Sequence, residues 1–140
     1  MKTKQFITAS LIGGVTHFFL GWLVYGIILM DTMQAYTNAS LFRKDEDMVF
    51  WSVMIGSICF GVLMSYFLEK TGVKNLMDGL LKGALLGLLM TAFMDFNSYG
   101  TSTVFNNLHV VVIDVLVGTI VAAVIGALIG VYLQKQNSPS

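Results

Sequence analysis

Charge is what this chain has least of. Asp, Glu, Lys and Arg make up 11% of its 140 residues, against about 25% in soluble domains. The acidic and basic residues balance to zero net charge. That balance excludes the basic stripe of a nucleic-acid binder and the acidic tail of many soluble partners. Cysteine is nearly absent: Cys59 stands alone in an apolar run, so no internal disulfide can form. We read it as a small buried hydrophobe. Proline is nearly absent too. Pro139 is the only one, and no apolar run carries a proline kink. Catalytic signatures are also missing. There is no Gly-x-Ser-x-Gly or His-Glu-x-x-His motif and no Ser/His pair at workable spacing. His109 and Asp114 are too sparse for a metal site, since zinc needs three or four ligands. We expect no enzyme, no cofactor and no metal.

What the chain has in abundance is apolar length. Hydrophobic residues reach 56%, more than one small soluble core could hide. They fall into four runs, at about 6–30, 48–68, 76–96 and 105–133. Each is near the roughly 20 residues that a helix needs to cross about 30 Å of hydrocarbon. An open sheet would leave backbone groups unpaired in lipid, and the alternating strands of a barrel are absent. The expected fold is therefore an all-α integral membrane four-helix bundle forming one domain, with a flexible tail over 134–140 and the lipid bilayer as its main partner. Lys2 and Lys4 ahead of the first run resemble a signal peptide, but the run is too long for one and no A-x-A site follows. We read it as a retained helix.

Orientation follows from the lysines. In a four-span arrangement Lys2, Lys4, Lys70, Lys74, Lys82 and Lys135 share one side, while Arg43 and Lys44 lie on the other beside Asp45, Glu46 and Asp47. The positive side is expected to be cytoplasmic, which places both termini inside, in a bacterial inner membrane. Tyr36, Phe50, Trp51, Phe96, Tyr99 and Phe105 then mark the outer interface. At the inner end, Asp78 and Lys82 are spaced for an ion pair, and Gly72 can bend the turn before them.

Small residues recur at four-residue spacing. The third span has Gly79, Gly83, Gly87 and Thr91 and reaches Asp95; the fourth has Gly118, Ala122, Gly126 and Gly130; the second has Ser57, Gly61 and Ser65; the first has Ala9, Gly13, His17 and Gly21. That spacing puts each set on one stripe, where small residues let membrane helices approach closely. The stripes either hold the bundle together or, most plainly on span four, face a second subunit. Met30-Asp31 with Tyr36-Thr37, and Met94-Asp95 with Tyr99-Gly100-Thr101, make a short internal match. Duplication into two similar helical hairpins would produce it, and so would coincidence.

Two ionisable residues fall at membrane depth. His17 is about 16 Å along the first span and Asp114 about 14 Å into the fourth. A carboxylate in lipid is protonated or paired, so we expect these two either to face each other as a proton-responsive or ion-binding site or to make separate structural hydrogen bonds. Asp31, Asp95, Asn97 and His109, with Ser98, Asn106 and Asn107, form a candidate outer vestibule that attracts cations, or are ordinary interfacial residues.

The segment Phe19-Leu20-Gly21-Trp22-Leu23-Val24-Tyr25-Gly26, ending in Met30-Asp31, resembles the first helix of small four-helix bacterial membrane proteins of the DUF1761 type. The final helix, with Asp114-Val115-Leu116-Val117-Gly118, is similar as well. The resemblance extends along nearly the whole span plan. It departs where the family's tyrosine is followed by Ser-Pro-like residues, since Gly26-Ile27 follows Tyr25 here. It implies a fold but no activity or active site. Two functions remain. The first is a non-enzymatic membrane subunit that self-associates as a homo-oligomer or docks on a larger membrane complex. The second is a small proton- or cation-linked transporter or channel using Asp114 and His17. Against the second stand helices unbroken by proline, because transporter sites favour discontinuous helices.

Overall fold

The structure, a computed structural model, describes residues 2–137. Among them are five α-helices and no strand: α1 (Thr3–Leu23), α2 (Met30–Tyr36), α3 (Phe50–Lys70), α4 (Leu76–Thr101) and α5 (Leu108–Asn137). Four helical stretches are long and apolar enough to cross a membrane: Thr3–Ile28, Phe50–Lys70, Leu76–Thr101 and Leu108–Gln136. The chain is thus an all-α, multi-pass membrane protein. Its outward faces carry Phe93, Trp51, Ile28 and Ile120, each more than 60% exposed. In water that surface would be a severe liability; in a bilayer it is the lipid contact.

α1 lies along α3 and α4 lies along α5, giving two helical hairpins. They meet chiefly where α1 crosses α5, whereas α3 has little contact with α4 or α5. The apolar core sits mostly at the end of the bundle that carries both termini. Ala9, Met64, Leu68, Val73, Ile125, Ile129 and Leu133 are all buried there. The opposite end carries the connections 29–49 and 102–107, and we call it the loop end.

Local chemistry explains where the helices stop. At Gly72 the backbone turns left-handed with φ 66°, which a glycine adopts without steric cost. Val73 N–H then donates to the Leu68 carbonyl at 3.1 Å and Gly72 N–H to the Glu69 carbonyl at 3.1 Å. These are the paired bonds of a Schellman stop, and Leu68 and Val73 are both buried beside it. Asn75 opens α4 by accepting the Asp78 N–H at 2.9 Å. Lys82 does not pair with Asp78. Its Nζ donates to the Thr71 carbonyl at 2.7 Å, where a cation suits the exposed carbonyls of a helix C-terminus. Asn107 accepts the His109 N–H at 2.8 Å as α5 begins.

Several further expectations need adjustment. α4 continues past 96 to Thr101, because nothing between Asn97 and Gly100 stops it. α5 starts at Leu108, later than 105, and keeps Gln134–Asn137 helical within the expected tail; residues 138–140 of that tail, Pro139 included, lie outside the described residues. Cys59 is exposed on α3 and not buried. Finally, the first span is not one regular helix. From Val24 to Ile28 it widens into a π-helical turn, and Leu29 breaks it with φ −105° and ψ 6° before α2 begins.

Candidate functional site

The hairpin α4–α5 is held by backbone touching backbone. A Cβ added to Gly79 would strike the Gly126 carbonyl, and one added to Gly126 would strike that of Gly79. A Cβ on Gly83 would meet the Ala122 carbonyl at 2.6 Å, and one on Gly118 the Thr91 hydroxyl at 2.6 Å. Gly130 meets the Asn75 carbonyl at 2.6 Å in the same sense, and Gly87 meets the Ala122 methyl. The two stripes seen in sequence therefore face each other antiparallel, and the span-four stripe is used inside the chain. Moving one more step of four along each helix, the seam reaches Asp95 on α4 and Asp114 on α5.

Those two carboxyls meet. They lie within hydrogen-bonding reach of each other. Asp95 is only 8% exposed, and its Oδ2 has no hydrogen-bond partner. Asp114 is half-buried, and its Oδ1 accepts the Tyr25 hydroxyl at 2.5 Å. Asp95 stands six residues before the end of α4 at Thr101, and Asp114 six residues after the start of α5 at Leu108. Both are thus about 9 Å inside their helices at the loop end.

Tyr25 comes from the other hairpin, on the π-helical turn Val24–Ile28. Such turns are rare and occur often at functional sites. The Tyr25–Asp114 hydrogen bond therefore joins the two hairpins. No lysine or arginine shares this half of the helices. α1 offers Lys4, α3 Lys70, α4 Lys82 and α5 Lys135, all toward the end with the termini. The pair has no cationic side chain to neutralise it, and burying two carboxylates unneutralised would be very costly.

His17 and Asp114 do not pair. His17 belongs to the α1–α3 seam, where its Nδ1 and the Ser57 Oγ share a hydrogen bond of 3.1 Å and its ring lies 4.5 Å from that of Phe60. Of the two arrangements left open for these residues, His17 takes the separate hydrogen bond. Depth alone suggested the pairing. Depth says nothing about which way a side chain points round its helix, and the two residues point toward different neighbours.

The expected vestibule residues are spread out. Asp31 is exposed in the first turn of α2, and Asn97 is exposed with its Nδ2 bound to the Phe93 carbonyl at 2.7 Å. His109 lines a groove of about 380 Å³ with Tyr36, Asn107, Val110 and Ile113. Asp95 leaves this set altogether, because the extra length of α4 draws it into the seam. Above the groove the two halves are tied by backbone. Asn38 N–H donates to the Val104 carbonyl at 2.8 Å and Asn106 N–H to the Tyr36 carbonyl at 3.0 Å. Sequence reasoning missed Tyr25 as a site residue and missed the Asp95–Asp114 pair. The signal was present: the four-residue stripe of span three ends on Asp95, and the same step from Gly118 lands on Asp114.

This arrangement defines a multi-pass membrane protein with a carboxyl pair, one buried and one half-buried, at the junction of two hairpins. Comparison with protein-family models, curated proteins and solved structures finds no match to the chain in any of the three.

Proposed function

We propose that this chain is a small, non-enzymatic, proton- or cation-linked membrane transporter whose ion site is the Tyr25–Asp95–Asp114 cluster. The observation that carries this reading is a carboxyl pair, Asp95 buried and Asp114 half-buried, with an unpartnered oxygen at Asp95 and no lysine or arginine at this end of the helices. An ionisable group kept at membrane depth without a counter-charge points to an ion pathway. The π-helical turn supports the reading further. It is a discontinuity in a membrane span at the residue that contacts the pair, a feature that arises here without a proline in the span. The two hairpins, joined at this point by Tyr25, are the bodies whose relative motion would expose the site to either side.

The lysine distribution supports a placement with both termini cytoplasmic in a bacterial inner membrane. The span-three and span-four glycine stripes pack on each other within the chain, which leaves them unavailable to a second subunit.

The test is reconstitution into liposomes under imposed pH, sodium and potassium gradients. Wild-type protein is expected to dissipate at least one of these gradients. Asp95→Asn and Asp114→Asn are expected to abolish that flux while retaining the helical circular dichroism of the wild type. Absence of any flux in the wild type, or flux unchanged in both variants, refutes the proposal.

A further inference from the structure

The ion-site reading does not say which ion. Resting on that reading, we infer that the cluster takes a proton, held between the Asp95 and Asp114 carboxyls, and takes neither an alkali nor a divalent cation.

The first argument is hydrogen-bond chemistry. An ionised carboxylate only accepts, so two facing carboxylates repel and cannot bond to one another. One proton between them turns the same geometry into an O–H···O bond. Protonation also lets the Asp95 carboxyl, whose buried Oδ2 has no partner, donate as well as accept.

The second argument is ligand number. Hard metal cations take about six or more oxygens. Here there are two carboxyls and one tyrosine, and one oxygen of Asp114 is already engaged by that tyrosine. No group of three His, Cys, Asp or Glu suited to a metal occurs among the described residues. The next rung inward adds nothing, because the Thr91 hydroxyl donates to the Gly87 carbonyl at 2.5 Å and is packed on Gly118. Beyond it the seam is backbone on backbone. A proton needs no further ligands and no cavity.

The third argument is the surroundings. The ionisable groups at the cluster are Tyr25 from the π-helical turn that follows α1, Asp95 from α4 and Asp114 from α5. α3 contributes none, since 50–58 contains no ionisable residue. Asp31 on α2 is exposed and lies outside the cluster. The lysines of these helices lie at the other end, His17 is bonded to Ser57, and His109 lines the outer groove with Tyr36 and Ile113. On release, the O–H bond breaks, the proton passes to water, and both carboxyls are left ionised. Tyr25 is then a positioning residue that holds Asp114 in line with Asp95.

Infrared difference spectroscopy on the full chain in lipid nanodiscs tests this. Wild-type protein is expected to show a protonated-carboxyl band that disappears on a jump to alkaline pH and whose titration is unmoved by sodium or potassium chloride at constant pH. Asp95→Asn and Asp114→Asn should each lose that titration. Tyr25→Phe should keep the band but shift its midpoint. A band displaced by sodium or potassium, or binding of radioactive sodium that is lost in Asp95→Asn, overturns the proton and leaves the ion site standing. Carboxylate bands alone at every accessible pH, with no cation bound, overturn both. The wild-type measurement and its salt competition need no variant, so a variant that fails to fold does not blunt the test.

Discussion

The two hairpins are built on the same device and use it differently. In α4–α5 the close approach runs nearly the whole length of the helices, from Gly130 against Asn75 through Gly126, Ala122 and Gly118, and it ends on two carboxyls. In α1–α3 the close approach is short. Gly14 lies against Ser57 and Ile58, and Gly13 and Gly14 against Gly61. Above them comes the His17–Ser57 hydrogen bond, and Ser10 and Ser65 are buried with unpartnered hydroxyls. Lipid offers no hydrophobic reward for helix association, so the area of close backbone contact decides the strength of each pair. α4–α5 is therefore the rigid half. α1–α3 is the less extensively packed half, and it leads into the π-helical turn that carries Tyr25.

The strongest challenge to this contrast is Gly126→Leu. A side chain there must displace the Gly79 backbone, and overpacking of this kind costs about 3 kcal/mol or more. Denaturant titration followed by circular dichroism should show loss of the stable unfolding step. Gly61→Leu should be milder, about 1–3 kcal/mol. It forces Ser10 and Gly14 away but leaves α4–α5 intact, so a resistant two-helix fragment should survive limited proteolysis. Equal damage from both substitutions would erase the distinction between the halves.

Ser57→Ala tests the polar rung alone. Removing one hydrogen bond between membrane helices is expected to cost about 0.6 kcal/mol, read as a small shift in the same titration. The smallest effect is expected at Gly21→Ala. Gly21 continues the first-span stripe in sequence, yet nothing lies within 4 Å of the added Cβ. The variant should match the wild type or gain up to about 1 kcal/mol from helix propensity. A clear loss of stability would place an unseen partner against that face.

Much of the architecture was readable because each feature depended on local spacing. Apolar runs fixed four membrane-crossing helices, and four-residue repeats of glycine and alanine identified the faces that touch. The hairpin seam α4–α5 was visible as two stripes. The site was only half visible. Asp114 stands out by its depth, but Asp95 reads as an interfacial residue when the third apolar run stops at 96, whereas α4 continues to Thr101. Tyr25 stands in the sequence only as part of the 19–26 segment, because nothing local marks a tyrosine that reaches across to another hairpin.

The sequence by itself determined that hydrocarbon surrounds this chain, how often it crosses, and which stripe of each helix is small enough for close contact. Those properties depend on composition and periodicity, which need no partner. Only the tertiary structure decided that Asp95 meets Asp114, that His17 meets Ser57, and that Tyr25 reaches across from the other hairpin. Each of those pairings depends on how the helices are rotated and shifted against one another. The π-helical turn sets the angle at which Tyr25 leaves its helix, and the antiparallel glycine seam sets which residues of α4 and α5 stand level. Neither rotation nor register is encoded at any single position.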